Sequence, residues 1–251
     1  MTPGMSEQPD TSRARPRPRP SPLYLCAPVN ALVEGIYEER VPLAKILEHG
    51  DFGLGTFDGL DGEMVVLDGR VYQIAGDGVV REVTEPAASP FACVTFYTPA
   101  SHDDLAGPLE YDAFLDWLLT LLPSPNLFYA LRIEGRFADV HVRSVPRQEN
   151  YLPLVEVAKR QAEFTFDEAE GTLAGFYTPS FMESLNVPGL HLHFLSADRT
   201  QGGHLLSCSP RGVRASVQFI ATLELGLPMS VDYLTWDFRR DTGADLDEAE
   251  K

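Results

Sequence analysis

Three stretches of this chain repeat one arrangement: a β-branched or aromatic run, a glycine-bearing break, and a second run of the same kind. They are EMVVLDGRVYQI at 63–74, FYALRIEGRFADVHVRSV at 128–145 and GLHLHFLSADRTQGGHLL at 189–206. Asp68-Gly69 in the first is a strong hairpin signal, because a type I′ turn needs two residues that tolerate positive φ. Glu134-Gly135 repeats the arrangement in the second, and a longer connection ending in Gly202-Gly203 does so in the third. Strands joined as hairpins make antiparallel or mixed sheets, not the parallel sheet of a doubly wound fold.

Helical spacing of apolar residues appears at 41–48 (VPLAKILE), 111–122 (YDAFLDWLLTLL) and 152–161 (LPLVEVAKRQ), with a shorter candidate at 179–186. Pro123 and Pro125 close the second of these. The expected fold is therefore α+β: two β-rich halves with mixed or antiparallel sheets and flanking helices. LGTFDGLDGEMVVLDG (54–69) and GTLAGFYTPSFMESLNVPGLHLHFL (171–195) share a layout of Gly-Thr, loop and strand, which puts a division near residue 150. That makes 23–150 the N-terminal half and 151–251 the C-terminal half. Residues 1–22 are poor in apolar residues and alternate Arg with Pro, so they are expected to be a disordered, solvated tail.

A net charge of −17 argues against nucleic acid or an anionic membrane as partner, since both require a basic footprint. A small anionic substrate is not excluded, because a few local cations outweigh a distant acidic surface. Cys26, Cys93 and Cys208 are odd in number and form no CxxC pair, which favours reduced, buried thiols over a disulfide framework. No apolar run approaches the ~20 residues of a membrane span, and the N-terminus lacks the apolar core of a signal peptide. The expected location is the cytoplasm.

Three of the six histidines fall within the third hairpin. In a strand, residues i and i+2 share a face roughly 7 Å apart, so His191 and His193 point the same way while Leu190 and Leu192 point to the other. The chain then turns and returns, which allows His204 to stand on the neighbouring strand beside the pair. Three converging imidazoles are the protein share of a catalytic zinc site with positions left for water or substrate. A solvated HxH strand face is the plainer reading of the pair alone. A cupin would carry Glu where Ala197 or Asp198 stands, and a metallo-β-lactamase would continue as HxHxDH, which Phe194 and Leu195 break. An amidohydrolase barrel would carry its HxH on an early strand. His49, His102 and His141 have no paired spacing and read as ordinary surface or core residues.

Taken together, HGDFGLGTFDGLDGEMVVLDGRVYQ (49–73), FYALRIEGRF (128–137), VRSVPRQ (142–148) and GLHLHFLSADRTQGGHLL resemble the blocks of the α-acetolactate decarboxylase family, in its order and spacing. The resemblance runs from about Leu23 to the C-terminus. It implies a zinc enzyme that converts 2-acetolactate to acetoin and CO₂, with a small molecule as its partner and a homodimer as its assembly. It also implies His191, His193 and His204 as zinc ligands, Glu63 and Arg143 as active-site residues, and Thr56 as a pocket residue. A further active-site glutamate is implied near the C-terminus, where DLDEAEK offers Glu248 and Glu250; distance from the histidines favours Glu250.

Acetolactate is a β-keto acid, and losing CO₂ leaves an electron pair that its ketone must accept as an enediolate. A Lewis-acidic zinc ion suits that charge, a guanidinium suits an anionic substrate, and a positioned acid delivers the proton stereoselectively. Which glutamate donates and which binds metal stays open at this level. Two competing readings are a non-catalytic relative that kept the fold and a metalloenzyme acting on a larger β-keto acid. Loss of Glu63 or Arg143 would mark the first; both are present.

Overall fold

A computed structural model of the chain describes residues 21–250. The Arg/Pro tail therefore lies, apart from Ser21 and Pro22, outside the described residues. The chain opens with β1 (Leu23–Leu25), α1 (Val29–Val33), β2 (Val41–Pro42) and α2 (Leu43–Ile46). Seven strands follow: β3 (Phe52–Thr56), β4 (Glu63–Leu67), β5 (Arg70–Ile74), β6 (Val80–Glu82), β7 (Ala88–Ser89), β8 (Ala92–Thr95) and β9 (Ser101–Leu105). After α3 (Tyr111–Thr120) come β10 (Phe128–Ser144), α4 (Leu154–Ala158), β11 (Ala162–Thr178), β12 (Gly189–Ser196), β13 (Gly202–Ile220) and β14 (Leu223–Leu225). Two helices, α5 (Val231–Thr235) and α6 (Gly243–Glu250), complete the order.

The fold is α+β, with mixed and antiparallel sheets. A seven-stranded sheet runs β14-β1-β8-β3-β4-β5-β6, with β1 and β14 parallel and its other neighbours antiparallel. A second sheet runs β10-β11-β12-β13-β9, and β10 also pairs with β13. Hydrogen bonding through β10, β11, β12 and β13 therefore runs full circle, as in a closed barrel.

Side-chain alternation assigns each strand face to a core. Val65 and Leu67 of β4, with Ala174 and Phe176 of β11 and Leu195 of β12, fill the space between the two sheets. Met64 and Val66 turn to the outer face of the first sheet, under Leu43 and Ile46 of α2. Leu192 and Phe194 pack inside the second sheet with Phe137, Leu131 and Phe114. Glu63 shares the face of Val65, and His191 and His193 share the face of Leu195. Alternation alone thus sends acid and imidazoles into the same inter-sheet space.

The Asp68-Gly69 hairpin forms as expected: Leu67 pairs with Arg70, and the two turn residues have φ of 52° and 76°. Glu134-Gly135 is a correction, because β10 runs straight through it. Glu134 pairs with Thr172 on one side and Arg214 on the other, so a turn there would forfeit two ladders at once. Gly135 serves close approach instead, since a Cβ at that position would lie 2.3 Å from the Gly212 carbonyl oxygen.

Three helices are shorter than their patterns. Val41–Pro42 pairs as strand with β7, leaving a helix only over Leu43–Ile46, because the residue before proline prefers extended backbone. Pro153 likewise delays α4 to Leu154. The 179–186 segment supplies only a 3₁₀ turn at Ser180–Met182. At the C-terminal end, α6 buries Leu246 and Ala249 against the cluster that holds Leu154 and Val157 of α4, while Asp247 and Glu248 on the same helix are exposed.

Candidate active site

The site is built on a row of cross-strand neighbours. His193 of β12 pairs with His204 of β13, and His204 pairs on its other side with Arg143 of β10. Directly opposed residues present side chains on one face roughly 5 Å apart, so three distant sequence positions become one line. His191 stands two residues before His193 on that face. Ring centroids lie 5.1 Å apart for His191 and His193, 4.9 Å for His191 and His204, and 5.3 Å for His193 and His204. One nitrogen from each gathers within 4.8 Å of the others, and all three residues are buried.

The first sheet supplies the facing wall. Thr56 ends β3 opposite Glu63, which begins β4. The Thr56 hydroxyl donates to the Gly62 carbonyl at 2.7 Å, tying down the turn that delivers Glu63. Glu63 Oε2 lies 3.5 Å from His193 Nε2. A third wall comes from α6, whose Glu250 Oε2 lies 3.6 Å from His191 Nε2 and from His204 Nδ1. Glu248, on the same helix, is exposed. Thr56, Glu63, Arg143, the three histidines and Glu250 all border one cavity. Val29, Leu32, Leu60, Phe91, Val145 and Leu154 make the remainder of its wall apolar.

Burial sets the charge states. Desolvation pushes Glu63 up to about 8; Arg143 opposes this and Glu250 adds to it. Glu250 is raised by the same burial, against the pull of Arg143. The imidazoles move the other way. Burial, aided by Arg143, lowers His193 to about 3, while a hydrogen bond to Met64 resists. Burial also holds His191 and His204 well below the usual histidine range. The glutamate–histidine contacts at 3.5–3.6 Å are therefore contacts of neutral rings, not ion pairs.

These residues fit a metal ion on the evidence of their own hydrogen bonds. His193 Nδ1 lies 2.9 Å from the Met64 carbonyl, which makes it the protonated nitrogen and leaves the Nε2 lone pair free. His204 Nε2 lies 3.1 Å from the Glu250 carbonyl, which leaves Nδ1 free. Carbonyls that fix the tautomer from behind are the usual support of a metal-bound histidine. Both nitrogens of His191 and Nε2 of His193 are buried without a hydrogen-bond partner. Leaving such groups unpaired is costly, and a shared cation would take up the His193 Nε2 lone pair together with the one lone pair of a neutral His191.

All seven residues singled out in the sequence thus meet in one cavity. His49 stacks instead on Tyr24 at 3.8 Å, His102 is exposed on β9, and His141 faces Glu163 at 3.1 Å. Cys26, Cys93 and Cys208 are free and buried. Sequence reasoning missed the Met64 carbonyl, the apolar wall, and Gln161, whose Oε1 accepts from Arg143 Nη1 at 2.9 Å. A lone glutamine in KRQAEF carries no pattern that could have marked it.

Comparison with known proteins agrees with this geometry. The family profile for alpha-acetolactate decarboxylase matches residues 23–240. Alpha-acetolactate decarboxylase of Methanosarcina mazei is 40% identical over 230 residues, covering 91% of this chain and 80% of that one. The Methylococcus capsulatus enzyme of the same name is 40% identical over 223 residues, covering 88% and 86%. The crystal structure of alpha-acetolactate decarboxylase from Bacillus subtilis superposes with a TM-score of 0.88 at 34% identity, covering 92% of this chain and 99% of that one. Fold, pocket and relatives define an enzyme of the carboxy-lyase class. The chain belongs to the alpha-acetolactate decarboxylase family.

Proposed function

We propose that the protein decarboxylates 2-acetolactate to acetoin and CO₂ in this cavity, with zinc held by His191, His193 and His204. The observation that carries the reading is the meeting of three neutral, partly unpartnered imidazoles with two raised carboxyls and one guanidinium in a single buried cavity. Zinc held by these three histidines would supply a Lewis acid for the negative charge that develops on the ketone oxygen as CO₂ is lost.

The remaining work falls to side chains. Arg143, permanently charged and buried, receives the substrate carboxylate. Glu63 is the proton donor: with its carboxyl raised to about 8, it carries a proton at neutral pH. Glu250 closes the cavity on the helix side, 3.4 Å from Arg143. Thr56 steadies the turn before Glu63. The apolar wall keeps bulk water off the reacting carbon, so the proton arrives from one face and the acetoin formed is of one hand. We further propose a cytoplasmic homodimer; exposed Leu227, Met229, Val231, Leu234 and Trp236 support self-association.

The test is acetoin formation from racemic acetolactate by the purified protein, with and without a chelator, against a no-enzyme control for spontaneous loss of CO₂. Acetoin above background, abolished by the chelator and restored by zinc, is the expected result. A folded, zinc-loaded sample that makes none overturns the reading. Because metal binds the native state alone, zinc also raises the melting temperature, by an amount equivalent to about 2.7 kcal/mol at a free concentration of 100 Kd.

A further inference from the structure

We propose that Gln161 is a positioning residue that aims Arg143 into the cavity while leaving its positive charge available to an anionic substrate. This rests on the reading of Arg143 as the partner of the substrate carboxylate.

Arg143 stands directly opposite Glu163 in the β10–β11 ladder. That pairing alone would make a cross-strand ion pair and neutralise the guanidinium. Glu163 instead commits its two oxygens elsewhere. Its Oε2 lies 3.1 Å from His141 Nε2, and its Oε1 accepts from Gln161 Nε2 at 2.9 Å. Gln161 Oε1 in turn accepts from Arg143 Nη1 at 2.9 Å. The amide is therefore interposed between cation and carboxylate.

Its orientation is dictated by its neighbours. An arginine only donates and a carboxylate only accepts, so the carbonyl end must face Arg143 and the NH₂ end Glu163. The hold on Arg143 is otherwise slight: the Nη2 contact with Glu250 is 3.4 Å, and buried Nε has no partner. Gln161 is itself fixed at the exit of α4, where its backbone N–H donates to the Ala158 carbonyl at 3.1 Å. A neutral acceptor at this point does what a carboxylate there would not: it orients the guanidinium without discharging it.

Two substitutions test this, each nearly isosteric. Gln161→Met removes the acceptor, and Gln161→Glu keeps it but adds the neutralising charge. Substrate and product provide an internal control, since acetolactate carries the carboxylate and acetoin has lost it. Both variants are expected to lower kcat/KM for acetolactate about tenfold, the scale of a charge-assisted hydrogen bond, with the acetoin inhibition constant unmoved. A merely structural role would weaken both ligands in parallel, and that outcome overturns the proposal, as does unchanged kcat/KM in Gln161→Glu. Arg143→Ala is measured alongside. If it retains full activity, the reading of Arg143 fails; if it is inactive while both Gln161 variants match the parent, only the Gln161 proposal fails.

Discussion

Burial pushes the Glu63 carboxyl up to about 8, and this has a consequence for stability that is separate from the proposed reaction. Its ordinary value is 4.5 and its folded value about 8, the rise coming chiefly from burial. Below 4.5 the carboxyl is protonated in both folded and unfolded chains, so it contributes no pH dependence. Between 4.5 and 8 the folded state holds a proton that the unfolded state releases, so stability falls as pH rises; above 8 the full cost is present. His193 works in the opposite sense, because burial lowers it from 6.5 to about 3 and the cost grows as pH falls below 6.5. In metal-stripped protein, Glu63→Gln should therefore gain urea midpoint over the parent as pH rises from 4.5 to 8, and hold that gain above 8. A midpoint difference that stays flat across this window refutes the buried, protonated state. With zinc restored, the same variant is expected to lose activity by about 10²–10⁴-fold, the scale of a general acid.

The element that most shapes the site is β10, which carries Arg143 near its end and pairs along both edges. Its weak point is Gly135, with φ of 151° and no room for a Cβ beside the Gly212 carbonyl. Gly135→Ala must push β10 and β13 apart, and a cost of about 1–3 kcal/mol follows for strain of that kind. Thermal unfolding should show a lowered melting temperature, while zinc-loaded activity at low temperature survives, because Arg143 lies well along the strand. The same strand explains what was legible in advance. Asp68-Gly69 turns because its flanking residues find each other directly, Leu67 opposite Arg70. Glu134-Gly135 looks alike locally, but its partners Thr172 and Arg214 lie far along the chain. The histidines were legible because strand alternation and a short connection are local facts. Glu63, Arg143 and Glu250 became visible only through the family's blocks, since no local pattern separates them from solvated charges. Gln161 had neither signal.

At the scale of the whole molecule, the site belongs to no single layer. The first sheet brings Glu63 and Thr56, the second brings the histidines and Arg143, and α6 brings Glu250 from the end of the described chain. Removing residues 243–251 tests that division of labour. The sheets should persist, because α6 buries only Leu246 and Ala249, against a cluster that includes Leu154 and Val157 rather than either sheet's interior. Far-UV circular dichroism should accordingly keep its β-sheet signal and a cooperative melt. The cavity, however, loses a wall, and His204 loses the Glu250 carbonyl that fixes its tautomer at 3.1 Å. Loss of such a supporting partner typically weakens metal binding about 10–100-fold, which calorimetric zinc titration would read directly. Acetoin formation should fall further than zinc affinity does, because saturating zinc restores the ion but not the Glu250 carboxylate beside Arg143. A truncated protein that regains full activity once saturated with zinc would show that α6 only supports the metal and takes no part in the reaction.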